Sequence, residues 1–431
     1  MKLQFKILLI LAGVSAGLAA KYITGPSIQS FGTDFTPPEP NVSSLRISGF
    51  FSDDVVFESI DQSVNSFLRR NDMAGASVAI AKDGKLVFSR GYGWADMENR
   101  IHTEPYHLFR VASVSKLITA AGIMKLVENG KLNLDDYVFG PDGILTQSPY
   151  DVYIDRNVED IKVKHLLNHS GGWTNRWGDP MFIPHAVARG LDKELPVDAT
   201  DIIQYMLGKR LHFKPGTMSS YSNLGYAILG KVIEKASGDS YESYIKTNIL
   251  YPIGIFDMRL GGSYLTERAE LEVKYYEPAD TYKVIDHRSD DKVLRSYGGN
   301  DIRTLGPAGG WLASSTDLLK FMLAIDGMNL PEDILSAESV EKMTTPVKKY
   351  LDPMGWRGVR KNYWYRTGTL AGTSALMVKK DNGISYVVLF NSSTWKGPML
   401  ASDIRRMMER GISRTAEWPD YDLFDLASNW K

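Results

Sequence analysis

The run from Ser113 to Asn129 constrains this chain most, because its spacing predicts a helix with almost no polar face. Leu117, Ile118, Ala120, Ala121, Ile123, Met124, Leu126 and Val127 surround the axis. A helix that is apolar nearly all round must be covered by other elements on most sides. Gly130 follows where a stop is expected. The chain therefore builds a layered core around this helix. The polar residues at its start, Ser113 and Lys116, sit one turn apart on one face.

What covers the helix can be read from the flanking patterns. Ala76–Ala81 and Lys85–Arg90 are short apolar-rich runs around Lys82-Asp83-Gly84, which predicts a β-hairpin. Strand-like runs return at Asn362–Arg366, Ser374–Lys379 and Ile384–Asn391. Helical periodicity marks 53–70, with Ser52 or Asp53 as cap, then Ala199–Leu207, Leu224–Ala236 and Met399–Arg410. Ser314–Ala324 reads as a helix capped by Ser315 or Thr316. Strands thus cluster at both ends and helices fill the middle. The expected class is α+β: an antiparallel sheet flanked by helices, joined from the two ends of the chain, with a largely helical region inserted over about 131–300. The main domain is expected over 49–415, its α/β part at about 49–130 and 301–415, followed by a tail at 416–431.

The first twenty residues are of another kind. Lys2 and Lys6 precede an unbroken apolar or small run from Ile7 to Ala20. Fourteen such residues are too few to cross a bilayer readily and suit the core of a secretion signal. An uncleaved N-terminal anchor and a buried helix are the other readings. Pro26, Pro37, Pro38 and Pro40 then punctuate a leader over 21–48, with folding expected to begin near Phe50. The expected location is outside the cytoplasm, periplasmic or extracellular, with membrane attachment possible through 1–20. The 431 residues include no cysteine, which removes disulfides, thiolate nucleophiles and Cys-ligated metal. Fifty Lys and Arg against 51 Asp and Glu give a net charge of −1, unlike a nucleic-acid binder.

Three short patterns carry candidate chemistry. Ser113-Val114-Ser115-Lys116 puts a hydroxyl at a helix start, where free N–H groups favour an oxyanion. Lys116, one turn inside, would lose solvation and become a better base. Tyr221-Ser222-Asn223 follows the Pro215-Gly216 turn; a phenol beside a cation is a proton relay, and Asn223 can offer its amide to a substrate carbonyl. Arg366-Thr367-Gly368-Thr369 closes a strand. There Gly368 would let a substrate approach closely, the Thr369 N–H could face an oxyanion, and Arg366 could hold a carboxylate. Taken singly, each pattern also fits a cap, a loop or a turn.

Their order, S-x-x-K, then Y-x-N, then a basic-T-G triplet, resembles the penicillin-recognising serine hydrolases: class C β-lactamases, D,D-peptidases and related esterases. Phe109-Arg110-Val111-Ala112-Ser113, His165 through Gly172, and Pro307-Ala308-Gly309-Gly310 with Asp317 extend the resemblance. It implies Ser113 as nucleophile, Lys116 and Tyr221 as proton carriers, and Asn223, Arg366, Thr367, Gly368 and Thr369 as substrate-binding residues. It implies no metal or cofactor, and a small-molecule or peptide substrate, with the oligomeric state open. One departure stands out: the family usually has Lys or His where this chain has Arg366, and arginine does not release its proton. A non-catalytic or slowly turning over sensor of cell-wall peptides or β-lactams is the alternative reading.

Other patterns have plainer explanations. Gly13-Val14-Ser15-Ala16-Gly17 fits a nucleophile elbow but lies in the presumed signal. His165 and His169 are read as structural packing or loop anchors rather than metal ligands. Trp173, Trp177, Trp356, Trp364 and Tyr365 are read as aromatic core, with a cleft as the alternative, and Asp135-Asp136 and Asp290-Asp291 as solvated.

Overall fold

The computed structural model describes residues 46–49, 55–346 and 348–428. The expected signal, leader, start at Phe50 and caps at Ser52 or Asp53 lie outside them. The main sheet has seven antiparallel strands: β1 (Gly75–Lys82), β2 (Lys85–Asp96), β3 (Ile101–His102), β4 (Gly358–Arg360), β5 (Tyr363–Leu370), β6 (Thr373–Lys380) and β7 (Ile384–Phe390). Their spatial order is β3-β2-β1-β7-β6-β5-β4. The β1–β7 pairing, with Ala79 opposite Val387, joins the two ends of the chain. Asp83 and Gly84, both at positive φ (51° and 82°), close the first hairpin as a two-residue turn requires.

Alternation along the strands divides the core. Val78, Ile80, Phe88, Val378 and Val388 face helices α1 (Glu58–Asn71) and α5 (Leu400–Ile412). Ala79, Leu86, Met377 and Val387 face the other way, into the core around α2 (Ser115–Glu128). Eleven of the fourteen residues of α2 are buried, as its all-round apolarity demands. Packed against it are α3 (Asn223–Ser237) and the turn at Gly306–Gly310, while α4 (Ser315–Leu323) lies on β1 and β7. The expected antiparallel sheet flanked by helices is what the chain forms.

Several local expectations are corrected. The central helix begins at Ser115, behind a 3-10 turn at Ala112–Val114 that carries Ser113. Strand β5 does not end at Arg366: pairing with β6 continues to Leu370 opposite Thr373, and the chain turns at Gly372, φ 74°. Helix α4 is capped by Ser314, whose hydroxyl accepts the Asp317 N–H at 3.0 Å, rather than by Ser315 or Thr316. The helices of the inserted region, Val163–Leu167, Pro184–Leu191, Ala199–Leu207, α3 and Tyr241–Ile245, lie before residue 256. Beyond it come short strands, among them Arg259–Leu260, which pairs with Trp311–Ala313. The tail forms a helix at Leu423–Ser428, preceded by Asp422, whose carboxylate accepts the Leu86 N–H at 3.1 Å.

Candidate active site

Ser113 is presented by a strained turn. Ala112, just before it, has φ 48°, a conformation costly for a residue with a Cβ. The surrounding structure holds the turn in place. The Val111 N–H donates to the Trp311 carbonyl at 3.0 Å, and Arg366 Nε donates to the Ser113 carbonyl at 2.8 Å. Strand β5 presses closely: a Cβ on Gly368 would fall 2.1 Å from the Val111 carbonyl oxygen. Gly368 therefore admits the Ser113 turn itself.

The three expected polar groups meet at this turn. Tyr221 Oη lies 2.6 Å from Ser113 Oγ, and Lys116 Nζ lies 3.5 Å from it. Lys116 is fully buried, and its ammonium also donates to Asn223 Oδ1 at 2.6 Å and to the Ala308 carbonyl at 2.5 Å. Ala308 belongs to the Gly306–Gly310 turn, so that segment contributes an acceptor to the lysine. Asn223 Nδ2 donates to Asp179 Oδ2 at 2.7 Å. With its oxygen on Lys116 and its nitrogen on a carboxylate, Asn223 orients the lysine.

Electrostatics follow from burial. Loss of solvation lowers Lys116 to about 8; the Tyr221 charge works against this and Arg366 adds to it. Burial alone would raise the Tyr221 phenol, but Lys116 and Arg366 outweigh it and bring the phenol down to about 8. Both groups therefore exchange protons near neutral pH, where a relay works best. Arg366 is only 1% exposed, and its Nη2 donates to the Tyr221 oxygen at 3.4 Å. Its Nε and Nη2 are engaged by the Ser113 backbone and the tyrosine, while its Nη1 finds no partner among the described residues.

Further residues complete the site that sequence reasoning missed. Asp179 is one; burial raises its pKa, and the Met181 N–H donates to it at 3.0 Å. Its only sequence signal is an Asp-Pro turn. Arg357, exposed, holds its guanidinium 5.6 Å from the Tyr221 ring centroid. Both histidines are structural: His169 Nδ1 accepts the Ser222 N–H at 3.2 Å and its ring packs 4.7 Å from that of Tyr221, while His165, within the helix Val163–Leu167, accepts the Lys162 N–H on Nδ1 at 3.2 Å. Trp173 and Trp356 are buried in the core.

A cavity of about 340 Å³ opens over Ser113, walled by Tyr221, Asn223, Thr367, Thr369 and Arg357. Strand β4 pairs only with Tyr363–Tyr365 of β5. The stretch from Arg366 to Leu370 is therefore an edge among the described residues, with Thr367 and Thr369 on the cavity side. That edge is free to meet an extended ligand.

A serine, a lysine and a tyrosine clustered beside the edge of an antiparallel sheet define a β-lactamase-like and penicillin-binding-protein-like site. The chain belongs to the Beta-lactamase family, which matches residues 60–407. It is 28% identical over 335 residues to a Bacillus subtilis (strain 168) protein that carries the name of a penicillin-binding protein, PbpX; the match covers 77% of this chain and 74% of that one. The fold is also similar to that of an octameric penicillin-binding protein homologue from Pyrococcus abyssi, with TM-score 0.62, 26% identity, and coverage of 84% and 79% of the two chains. A D-amino acid amidase from Ochrobactrum anthropi SV3 shares the fold with TM-score 0.65 at 21% identity, over 84% of this chain and 98% of that one.

Proposed function

We propose that this protein is an exported serine hydrolase that cleaves an amide or ester through an acyl-enzyme on Ser113. The observation that carries the reading is the 2.6 Å separation of Tyr221 Oη and Ser113 Oγ, with Lys116 alongside. Ser113 Oγ attacks the acyl carbon as its proton passes to the Tyr221–Lys116 pair. The backbone N–H groups of Ser113 and Thr369 stabilise the oxyanion. The pair returns the proton to the departing amine or alcohol, and the acyl carbon stays bonded to Oγ. Water, deprotonated by the same pair, then releases the acid. Export rests on the basic head and apolar run of residues 1–20. Amides of D-amino acids and penicillin-type compounds are the first substrates to test, given the names of the similar proteins.

Intact-protein mass spectrometry after a fluorophosphonate or a penicillin tests the nucleophile. One adduct on the native protein and none on Ser113→Ala is expected; equal labelling of both ends the assignment. Repeated turnover of a nitrophenyl ester or a D-amino-acid amide supports the hydrolase, whereas a stable adduct without release supports a sensor.

A further inference from the structure

Two helix faces remote from Ser113 meet in a second cavity. On α1, Phe67, Arg70 and Asn71 are spaced by three and four residues, and on α5, Asp403, Arg406, Met407 and Arg410 repeat that spacing. Each set therefore shares one face of its helix. The two faces, with Lys396 just ahead of α5, wall a cavity of about 370 Å³. It shares no residue with the cavity over Ser113, and α1 and α5 cover the face of the sheet turned away from α2.

The charge on these walls is unbalanced. Arg70, Lys396, Arg406 and Arg410 stand against a single carboxylate, Asp403. Asp403 is already engaged twice: Lys396 Nζ donates to its Oδ2 at 2.6 Å, and Arg406 holds its Oδ1. Arg70 uses its Nε on the Ser66 carbonyl at 3.2 Å, and among the described residues neither Arg70 nor Arg410 has an ion pair. Guanidinium groups gathered in a concavity focus a positive potential and attract an anion. A phosphate group offers its oxygens to several planar forks at once. Phe67 and Met407, each buried, give the same cavity an apolar wall.

We infer that this cavity is an anion site for a phosphate ester, with Arg70 and Arg410 on the phosphate oxygens and Phe67 and Met407 against the organic part. The inference goes beyond the proposed function and needs nothing from it, because no group at Ser113 takes part.

Calorimetric titration of the whole protein with phenyl phosphate, which carries both features, tests it, with inorganic phosphate and benzoate for comparison. Phenyl phosphate is expected to bind most tightly of the three, and added salt to weaken it. The double variant Arg70→Gln with Arg410→Gln should bind it at least about tenfold less tightly. Both side chains are exposed, so its melting temperature should stay near native. Removing two exposed cations elsewhere, Lys131→Gln with Lys361→Gln, should leave the affinity unchanged. No binding of phenyl phosphate, benzoate bound as tightly, or equal loss in the two double variants overturns the inference. Sedimentation with phosphatidylglycerol vesicles then distinguishes the sources. If it depends on Arg70 and Arg410, the ester is a lipid headgroup; if the vesicles do not carry the protein down, it is a soluble ester.

Discussion

Arg366 Nε donates to the backbone carbonyl of Ser113 at 2.8 Å, which makes this buried guanidinium a brace between strand β5 and the turn that presents the hydroxyl. Its Nη2 reaches the Tyr221 oxygen at the same time, 3.4 Å away. One side chain thus sets both the position of Ser113 and the charge around the phenol. Arg366 lowers the pKa of Tyr221 and of Lys116, so Arg366→Met should move the rise of kcat/KM to higher pH. At pH 7 the loss should be roughly 100-fold, the scale of a misplaced reacting group. Arg366→Lys keeps the charge but not the fork, so it should shift the pH profile less while still losing rate. An unchanged profile for Arg366→Met would remove the electrostatic role.

The native profile should itself rise between about pH 7 and 9. Lys116 and Tyr221 both stand near 8, below their ordinary values. Below that midpoint the pair holds its full complement of protons and cannot take the one from Ser113. Above it one proton is gone and acylation proceeds. The apparent midpoint belongs to the pair rather than to either group. Lys116→Ala should cost on the order of 10²–10⁴ in rate. It should also move the limb, because removing the lysine removes a cation that favours the phenolate. Steady-state rates from pH 6 to 10 on one ester check both outcomes.

Asp179 should act in the opposite electrostatic sense. It raises the Lys116 pKa from behind Asn223, and it holds the amide that faces the lysine. Asp179→Asn should therefore move the rising limb to lower pH, whereas Arg366→Met moves it higher. The rate at the plateau should fall about tenfold, since a neutral amide at 179 holds the Asn223 nitrogen less tightly than a carboxylate does. A fall in rate with no displacement of the limb would assign Asp179 a packing role only.

Much of this arrangement is legible in the chain because its strongest signals are local. The all-apolar run after Ser113 requires a covered helix, and Asp83-Gly84 between apolar runs requires a hairpin. The order of the Ser113, Tyr221 and Arg366 patterns picks out residues that the structure brings to one cavity. What stays hidden depends on direction and on folding. An arginine in a sequence announces a charge but not where its fork points, and Arg366 points inward to the Ser113 turn. Asp179 gains its role by meeting a residue 44 positions away, and nothing local marks it for that. Thr367-Gly368-Thr369 reads as a strand end because glycine and threonine are turn-tolerant; cross-strand pairing with β6 carries the strand through them.

Gly368 gives the most direct test of how sheet and turn are fitted together. A Cβ there would meet the Val111 carbonyl oxygen at 2.1 Å and the Ala112 Cβ at 3.2 Å, and neither neighbour is the free end of a flexible side chain. Gly368→Ala must push β5 away from the Ser113 turn, which would lengthen the Arg366–Ser113 hydrogen bond. Overpacking of this kind costs about 1–3 kcal/mol, so the melting temperature should fall by several degrees. Activity should fall further than stability, because the same displacement moves Thr369 and Arg366 relative to Ser113. Gly130→Ala separates the two effects: Gly130 has φ 67° with open space around it, so that change strains the backbone far from the cavity. It should lower stability while leaving kcat/KM near native. Equal loss of activity in both variants at a temperature where both are folded would show that the close approach at Gly368 has no special bearing on the site.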